Sequence, residues 1–295
     1  MKSLKLKFCL NWLVLGGMVT VDSLKIGLKL AKKHGVTALE LPWEPLMTVP
    51  ASVLAELLRI FGIKEVAICC FFGKGGIDPL SKNGREYALL SLERAARRAD
   101  ELRNLGIRII GIDGPWAYQI AKNYEQKGFR KRLISFCNAV AKIGRKYSIV
   151  FFLECLREEE NTAMRGSYEL LEVLKAVNDA HVLGHLDTFH MQLWDEDIPV
   201  VLANFGDRLG WFHCSGTARR TPGRLGDTVK WKEVSFGLWL NRKEGGALEC
   251  VCFEGFSPEF RKLVPEIGGE FPRDLPPDKS IALAKKTLKQ AKIIK

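Results

Sequence analysis

No stretch of this 295-residue chain runs the roughly 18 uncharged apolar residues needed to cross a bilayer as a helix, so no membrane segment is expected. A secretion signal is imitated and not completed. Lys2, Lys5 and Lys7 precede "FCLNWLVLGGMV", but Asn11 interrupts the apolar part and no small-residue cleavage site follows, so the segment reads as a first strand. Metal-finger spacing is lacking as well. Seven of the eight cysteines (Cys9, Cys69, Cys70, Cys155, Cys214, Cys250 and Cys252) sit in apolar strand-like runs. Pairs such as "CC" and "CVC" match neither a zinc finger nor a disulfide framework, and free cysteine packs as a small apolar residue. That excludes a secreted disulfide scaffold and implies a reducing cytoplasm. Pro/Gly/Ser linkers and low-complexity segments are missing too, so residues 1–295 are expected to form a single domain. Acid is short relative to base, and the net charge is +11. The basic residues are nevertheless spread along helical patterns such as "KSIALAKKTLKQAKIIK", which describes a solvated face rather than a nucleic-acid partner.

What the chain does contain is an alternation. Short apolar runs rich in β-branched, aromatic and cysteine residues read as strands: "LKLKFCLNW", "ALELPW", "EVAICCFF", "IRIIGIDG", "IVFFLECL", "VLGHLDTF", "LGWFHCSG" and "LECVCFEGF". Between them lie amphipathic segments such as "DSLKIGLKLAKKHG", "ASVLAELLRIFG", "REYALLSLERAARRADELRNLG", "RKRLISFCNAVAKIGRKY" and "SYELLEVLKAVNDA", several ending on a capping glycine. Strict alternation means parallel pairing through right-handed crossovers, and eight units in a chain of this length predict a closed (β/α)₈ TIM barrel. Such barrels carry their chemistry where the strands end.

The strand ends are polar in an informative way. The second offers Glu40 and Glu44, the fifth ends in Glu154, the sixth in Asp187 with His190, the seventh in His213 and the eighth in Glu254. An unpaired buried carboxylate costs several kcal/mol. No lysine or arginine lies within the last four strand ends. A divalent cation is therefore the simplest compensation for Glu154, Asp187 and Glu254. Three carboxylates with one imidazole suit Mn²⁺, Mg²⁺ or Co²⁺ better than structural zinc. The other reading is a hydrogen-bonded polar layer without metal.

The series "FFLECLREEENT", "GHLDTFHMQ", "WFHCSGTARRTPG" and "CFEGF", with "ALELPWE", "IDPLSKNGREYAL" and "ADELRNLGIRIIGIDGP", resembles the xylose isomerase-like barrel superfamily. Within it the likeness is greatest to the ketose 3-epimerases of the D-tagatose/D-psicose type. The resemblance implies one metal ion, Mn²⁺ by preference, bound by Glu154, Asp187, His213 and Glu254. It implies that Glu154 and Glu254 also act as the acid/base pair. Glu160, His190 and Arg219 would grip oxygens of a small-molecule sugar, and the protein would be a cytoplasmic isomerase, a homodimer or homotetramer. The chain departs from the family at "CSGTARR", where relatives usually carry an acid before the arginines.

A ketose chemistry also suits these residues on physical grounds. A bound cation polarises the carbonyl and stabilises the enediolate left when the neighbouring carbon loses its proton. One carboxylate removes that proton and a second returns one from the opposite face. Weaker features are Trp12 and Trp116, which either wall the pocket or pack at its rim, and Glu40, which either orients a ligand or makes a plain structural bond. His34, His181 and His185 have no metal-spaced partner and read as structural. "GKGGIDP" reads as a lid, because no Ser or Thr follows its lysine as a phosphate cradle requires. Alternatives that stay open are a hydroxypyruvate-type isomerase, a sugar-phosphate epimerase and an inosose dehydratase. An apurinic-site endonuclease of the same superfamily needs histidines at the third and fourth strand ends, which here read "CCFFGKGG" and "GIDGPW".

Overall fold

The computed structural model describes residues 3–70, 81–114, 128–157, 164–263 and 273–295. Eight strands form where the apolar runs lie: β1 (Lys7–Asn11), β2 (Ala38–Pro42), β3 (Glu65–Cys69), β4 (Arg108–Gly114), β5 (Phe151–Glu154), β6 (Val182–Asp187), β7 (Leu209–Cys214) and β8 (Cys250–Phe253). They pair in sequence order into a closed barrel, β8 returning to β1 through the parallel register Cys9 to Cys252. The expected TIM barrel is the observed one.

The outer helices among the described residues are α1 (Val21–Lys33), α2 (Trp43–Thr48), α3 (Ala51–Ile60), α4 (Lys82–Asn104), α5 (Phe129–Tyr147) and α6 (Gly166–Val177). They continue with α7 (Thr188–Leu193), α8 (Ile198–Phe205), α9 (Trp231–Lys243), α10 (Pro258–Leu263) and α11 (Pro277–Gln290). Helix α1 shows why such segments fold as they do. Thr20 and Ser23 form a reciprocal capping box, Leu24, Leu28 and Ala31 recur at helical spacing on the buried face, and Lys32 and Lys33 sit at the negative end of the helix dipole. Glu44 falls in α2 rather than at the end of β2.

Inside the barrel, side chains of alternate strand residues stack in layers. At the amino-terminal end Lys7, Glu65, Arg108 and Glu249 close a ring of charge: Lys7 Nζ lies 2.6 Å from Glu65 Oε1, and Arg108 reaches Glu65 and Glu249 at 2.8 Å each. The middle is apolar, built from Cys9, Ala38, Ala67, Phe152, Trp211, Cys250 and Cys252. Phe152 stacks on Trp211 with the rings 6° from parallel, and it fits because a side chain at Gly111 or Gly210 would collide with its ring. Above this layer the barrel turns polar, and all chemistry considered below lies there.

Candidate metal centre and active site

Glu154 ends β5 and Asp187 ends β6, while His213 is the penultimate residue of β7 and Glu254 follows β8 directly. Neighbouring strands thereby deliver the four to one place. Ligating atoms of Glu154, Asp187 and His213 all lie within 4.8 Å of one another, and Glu254 Oε2 is 3.5 Å from His213 Nδ1. None exceeds 6% exposure, so water does not offset their charge.

The sixth strand end has a local cause. Asp187 caps α7, accepting a hydrogen bond from Phe189 N at 2.9 Å, and the Asp-x-x-His spacing then places His190 one turn along the helix. Arg157 N donates to His190 Nδ1 at 2.9 Å, which leaves the neutral ring's proton on Nε2. That nitrogen lies 2.6 Å from Arg219 Nη2 and 3.8 Å from Glu154 Oε1. At 2.6 Å the two nitrogens leave no room for an atom between them, but an oxygen in front of both would accept from each.

Arg219, which the resemblance implies grips substrate oxygens, stands beside these strand ends although no lysine or arginine lies within them. Just after β7 the chain turns sharply: Ala218 and Arg219 both have positive φ, at 57° and 54°, and Gly216 N bonds back to Arg220 O at 2.7 Å. Asp227 pins this turn by accepting from Thr217 N and Gly223 N at 3.1 and 2.7 Å. Arg219 Nη2 comes to 3.5 Å from Glu254 Oε2 and 3.7 Å from Asp187 Oδ2, its guanidinium packed over the rings of Phe189 and Phe256. Sequence spacing gave no sign of this return, because it depends on left-handed residues that are not glycine.

Glu40 stands behind His213. Its Oε2 is 2.7 Å from His213 Nε2 and accepts from Trp211 Nε1 at 3.3 Å, while Oε1 accepts from Asn11 Nδ2 at 2.8 Å. A carboxylate on Nε2 turns Nδ1 toward Glu254, the arrangement that orients a metal-binding imidazole. Ser215 Oγ supports Asp187 Oδ2 at 3.2 Å, a role with no sequence signal beyond the small polar residue after "HC". Trp12 is partly buried and meets Phe260 edge-on, in an apolar cluster with Leu13, Phe189 and Phe256. Trp116, Glu160 and the "GKGGIDP" segment lie outside the described residues. His34 and His181 are bound to Asp278 and Asp179 at 2.8 and 3.1 Å. His185 points into the barrel, 3.8 Å from Asp113 Oδ2 and 3.9 Å from Glu154 Oε1.

The two glutamates differ electrostatically. Burial holds Glu154 well above the ordinary carboxylate range, although His213 opposes it. Burial acts on Glu254 in the same direction, but Arg219 and His213 overcome it and hold that carboxyl well below its usual range. Asp187 is pushed up to about 7 by burial and by Glu254. Burial lowers His213, and Glu40 with Glu254 more than reverse this, keeping it well above an ordinary imidazole. The donor set also fits a divalent ion. His213 Nδ1 and Glu254 Oε2 are buried with no hydrogen-bond partner among the described residues, and the surrounding ligands are oxygen-rich.

Comparison with known proteins agrees with this fold. The family model described as xylose isomerase-like TIM barrel matches residues 28–244. A D-psicose 3-epimerase of Ruminiclostridium cellulolyticum is 29% identical over 164 residues, 55% of this chain and 53% of that protein. The match thus spans about half of that relative's length. A D-psicose 3-epimerase of Enterocloster bolteae is 25% identical over 225 residues, 74% of each chain. The crystal structure of a Methylomonas sp. D-allulose 3-epimerase in complex with D-allulose superposes with a TM-score of 0.81 at 19% identity, covering 99% of each chain, a likeness of fold.

Proposed function

Since the chain belongs to the xylose isomerase-like TIM barrel family, we propose that it is a metal-dependent sugar epimerase inverting the third carbon of a ketose. The observation that carries this reading is the pair Glu154 and Glu254, two buried glutamates that β5 and β8 deliver to one site beside His213 and Arg219. Its curated relatives being D-psicose 3-epimerases supports the same substrate class.

Glu154, Asp187, His213 and Glu254 would hold one divalent ion, Mn²⁺ by preference with Mg²⁺ or Co²⁺ as substitutes. When bound, that ion polarises the ketose carbonyl and lowers the cost of the enediolate. Glu254, ionised by Arg219 and His213, is suited to take the proton from the third carbon. Glu154, the other glutamate of the pair, is suited to return a proton to the opposite face, and the reverse reaction exchanges the two roles. Arg219 and His190 supply two convergent donors for a substrate oxygen, in a setting screened from water by Phe189 and Phe256. Glu160 joins them on the substrate's oxygens, and Trp12 with Trp116 walls the sugar.

The experiment is a ketose panel with added Mn²⁺ in D₂O, its products resolved by chromatography and mass spectrometry. The expected product is the 3-epimer carrying deuterium at the third carbon. An aldose labelled at its second carbon would instead identify an aldose-ketose isomerase. Metal-dependent cleavage of abasic DNA without any sugar conversion would overturn the reading.

A further inference from the structure

Beneath the site just described lies a second group of ligating side chains. Asp113, from β4, is fully buried, and neither of its carboxylate oxygens has a hydrogen-bond partner among the described residues. Both ring nitrogens of His185 are in the same condition, with Nδ1 3.8 Å from Asp113 Oδ2. On the other side of Asp113, ligating atoms of Glu40, Cys69 and Asp113 all lie within 4.8 Å of one another. The alternation of the strands accounts for the grouping, since Cys69 and Asp113 are register partners across β3 and β4 and share the inward face.

We propose that Cys69, Asp113 and His185, with Glu40 as the fourth donor, form an inner binding site for a second divalent ion of the zinc class. One thiolate, one imidazole and two carboxylates are a mixed tetrahedral set that zinc and cobalt accept, whereas Mn²⁺ and Mg²⁺ favour oxygen alone. The 3.8 Å between His185 Nδ1 and Asp113 Oδ2 is a few tenths of an ångström longer than the edge of roughly 3.3–3.6 Å expected for nitrogen and oxygen corners of a zinc tetrahedron, so the two side chains draw together on binding. Asn11 and Trp211, both bound to Glu40, fix the orientation of that carboxylate. Cys69 is partly buried, and Glu40, Asp113 and His185 are fully buried. Glu40 would then face the inner ion while holding His213, a ligand of the outer one, so the two sites share one hydrogen bond.

The ligand sets separate spectroscopically, because the outer four residues include no thiol. Chelator-treated protein dialysed against Co²⁺ should bind two ions per chain and show thiolate-to-cobalt charge-transfer absorption in the near ultraviolet. Cys69→Ser should abolish that absorption and leave one ion per chain, and Asp113→Asn should also leave one. The wild-type spectrum is a test in itself and needs no variant to fold: saturation without charge transfer overturns the inner site. So does a band that survives Cys69→Ser, or two ions retained by Asp113→Asn in protein whose circular dichroism matches the wild type. A single oxygen-ligated ion accompanied by ketose turnover would sink this site alone and leave the epimerase reading standing.

Discussion

At the scale of single residues, Glu154 and Glu254 carry the largest expected effects. Glutamine in either place keeps an oxygen donor and removes the titrating proton, so turnover should fall by roughly 10²–10⁴-fold. Metal affinity, read by calorimetric titration, should fall less than turnover does. Unchanged epimerisation in both variants would take these residues out of the chemistry. Glu40 has a different signature. It lies outside the proposed ligand set of the outer ion and bonds His213 Nε2 at 2.7 Å. Glu40→Gln should therefore weaken outer-site metal binding by about 10–100-fold, the usual consequence of loosening a ligand's support. At saturating Mn²⁺ most of the turnover should return. A turnover defect that persists at saturation would mean that Glu40 does more than position the imidazole.

Among elements, α7 is the one whose folding and chemistry depend on the same atom group, because Asp187 both caps the helix and faces the other ligands. Asparagine caps as well as aspartate, while alanine does not. Asp187→Asn should thus melt close to the wild type, and Asp187→Ala should lose about 1 kcal/mol more. Both should lose outer-site metal, so equal melting of the two variants would deny the cap. The barrel strands were legible in the sequence because each is a short apolar run closed by a polar residue, and Glu154, Asp187, His213 and Glu254 were legible as those closing residues. Helix α9 was not among the readable segments. Its buried face includes Ser235, Gly237 and Asn241, which break the apolar period, and Asn241 is satisfied only by Leu202 O and Gly206 O in the completed fold. Arg219 entered only through the family resemblance and Glu40 only as one of two readings, because the turn that returns Arg219 and the bond from Glu40 to His213 leave no mark in the local pattern. Both join segments that meet only after the barrel closes.

The molecule as a whole divides its two ends. The carboxyl-terminal end gathers the buried ionisable side chains of the proposed site, while the amino-terminal end carries the ring of Lys7, Glu65, Arg108 and Glu249, which ties β1, β3 and β4 to the residue before β8. The ring's contribution is limited by solvent. Lys7, Arg108 and Glu249 side chains are 41%, 48% and 53% exposed, so screening keeps each pair to about 0.2–1 kcal/mol. Its pH dependence follows from the shifts of its members. Burial raises Glu249, but its bond to Arg108 and the charge of that arginine hold it below the ordinary carboxylate range. A carboxyl depressed in the folded state stabilises above its unfolded pKa of about 4.3, and the gain disappears as pH falls through the lower folded value. Lys7, raised chiefly by its bond to Glu65, contributes fully below the ordinary lysine value and loses that contribution as pH rises through its higher folded one. Between those limits the ring is intact. Glu249→Gln should therefore lower stability by up to about 1 kcal/mol at pH 7, measured by urea unfolding. The deficit should shrink in 1 M salt, where the Debye length is only about 3 Å, and it should vanish on acidification below the carboxylate range. A deficit unchanged by salt and acid would place the contribution of Glu249 in packing at the barrel floor, with its charge irrelevant.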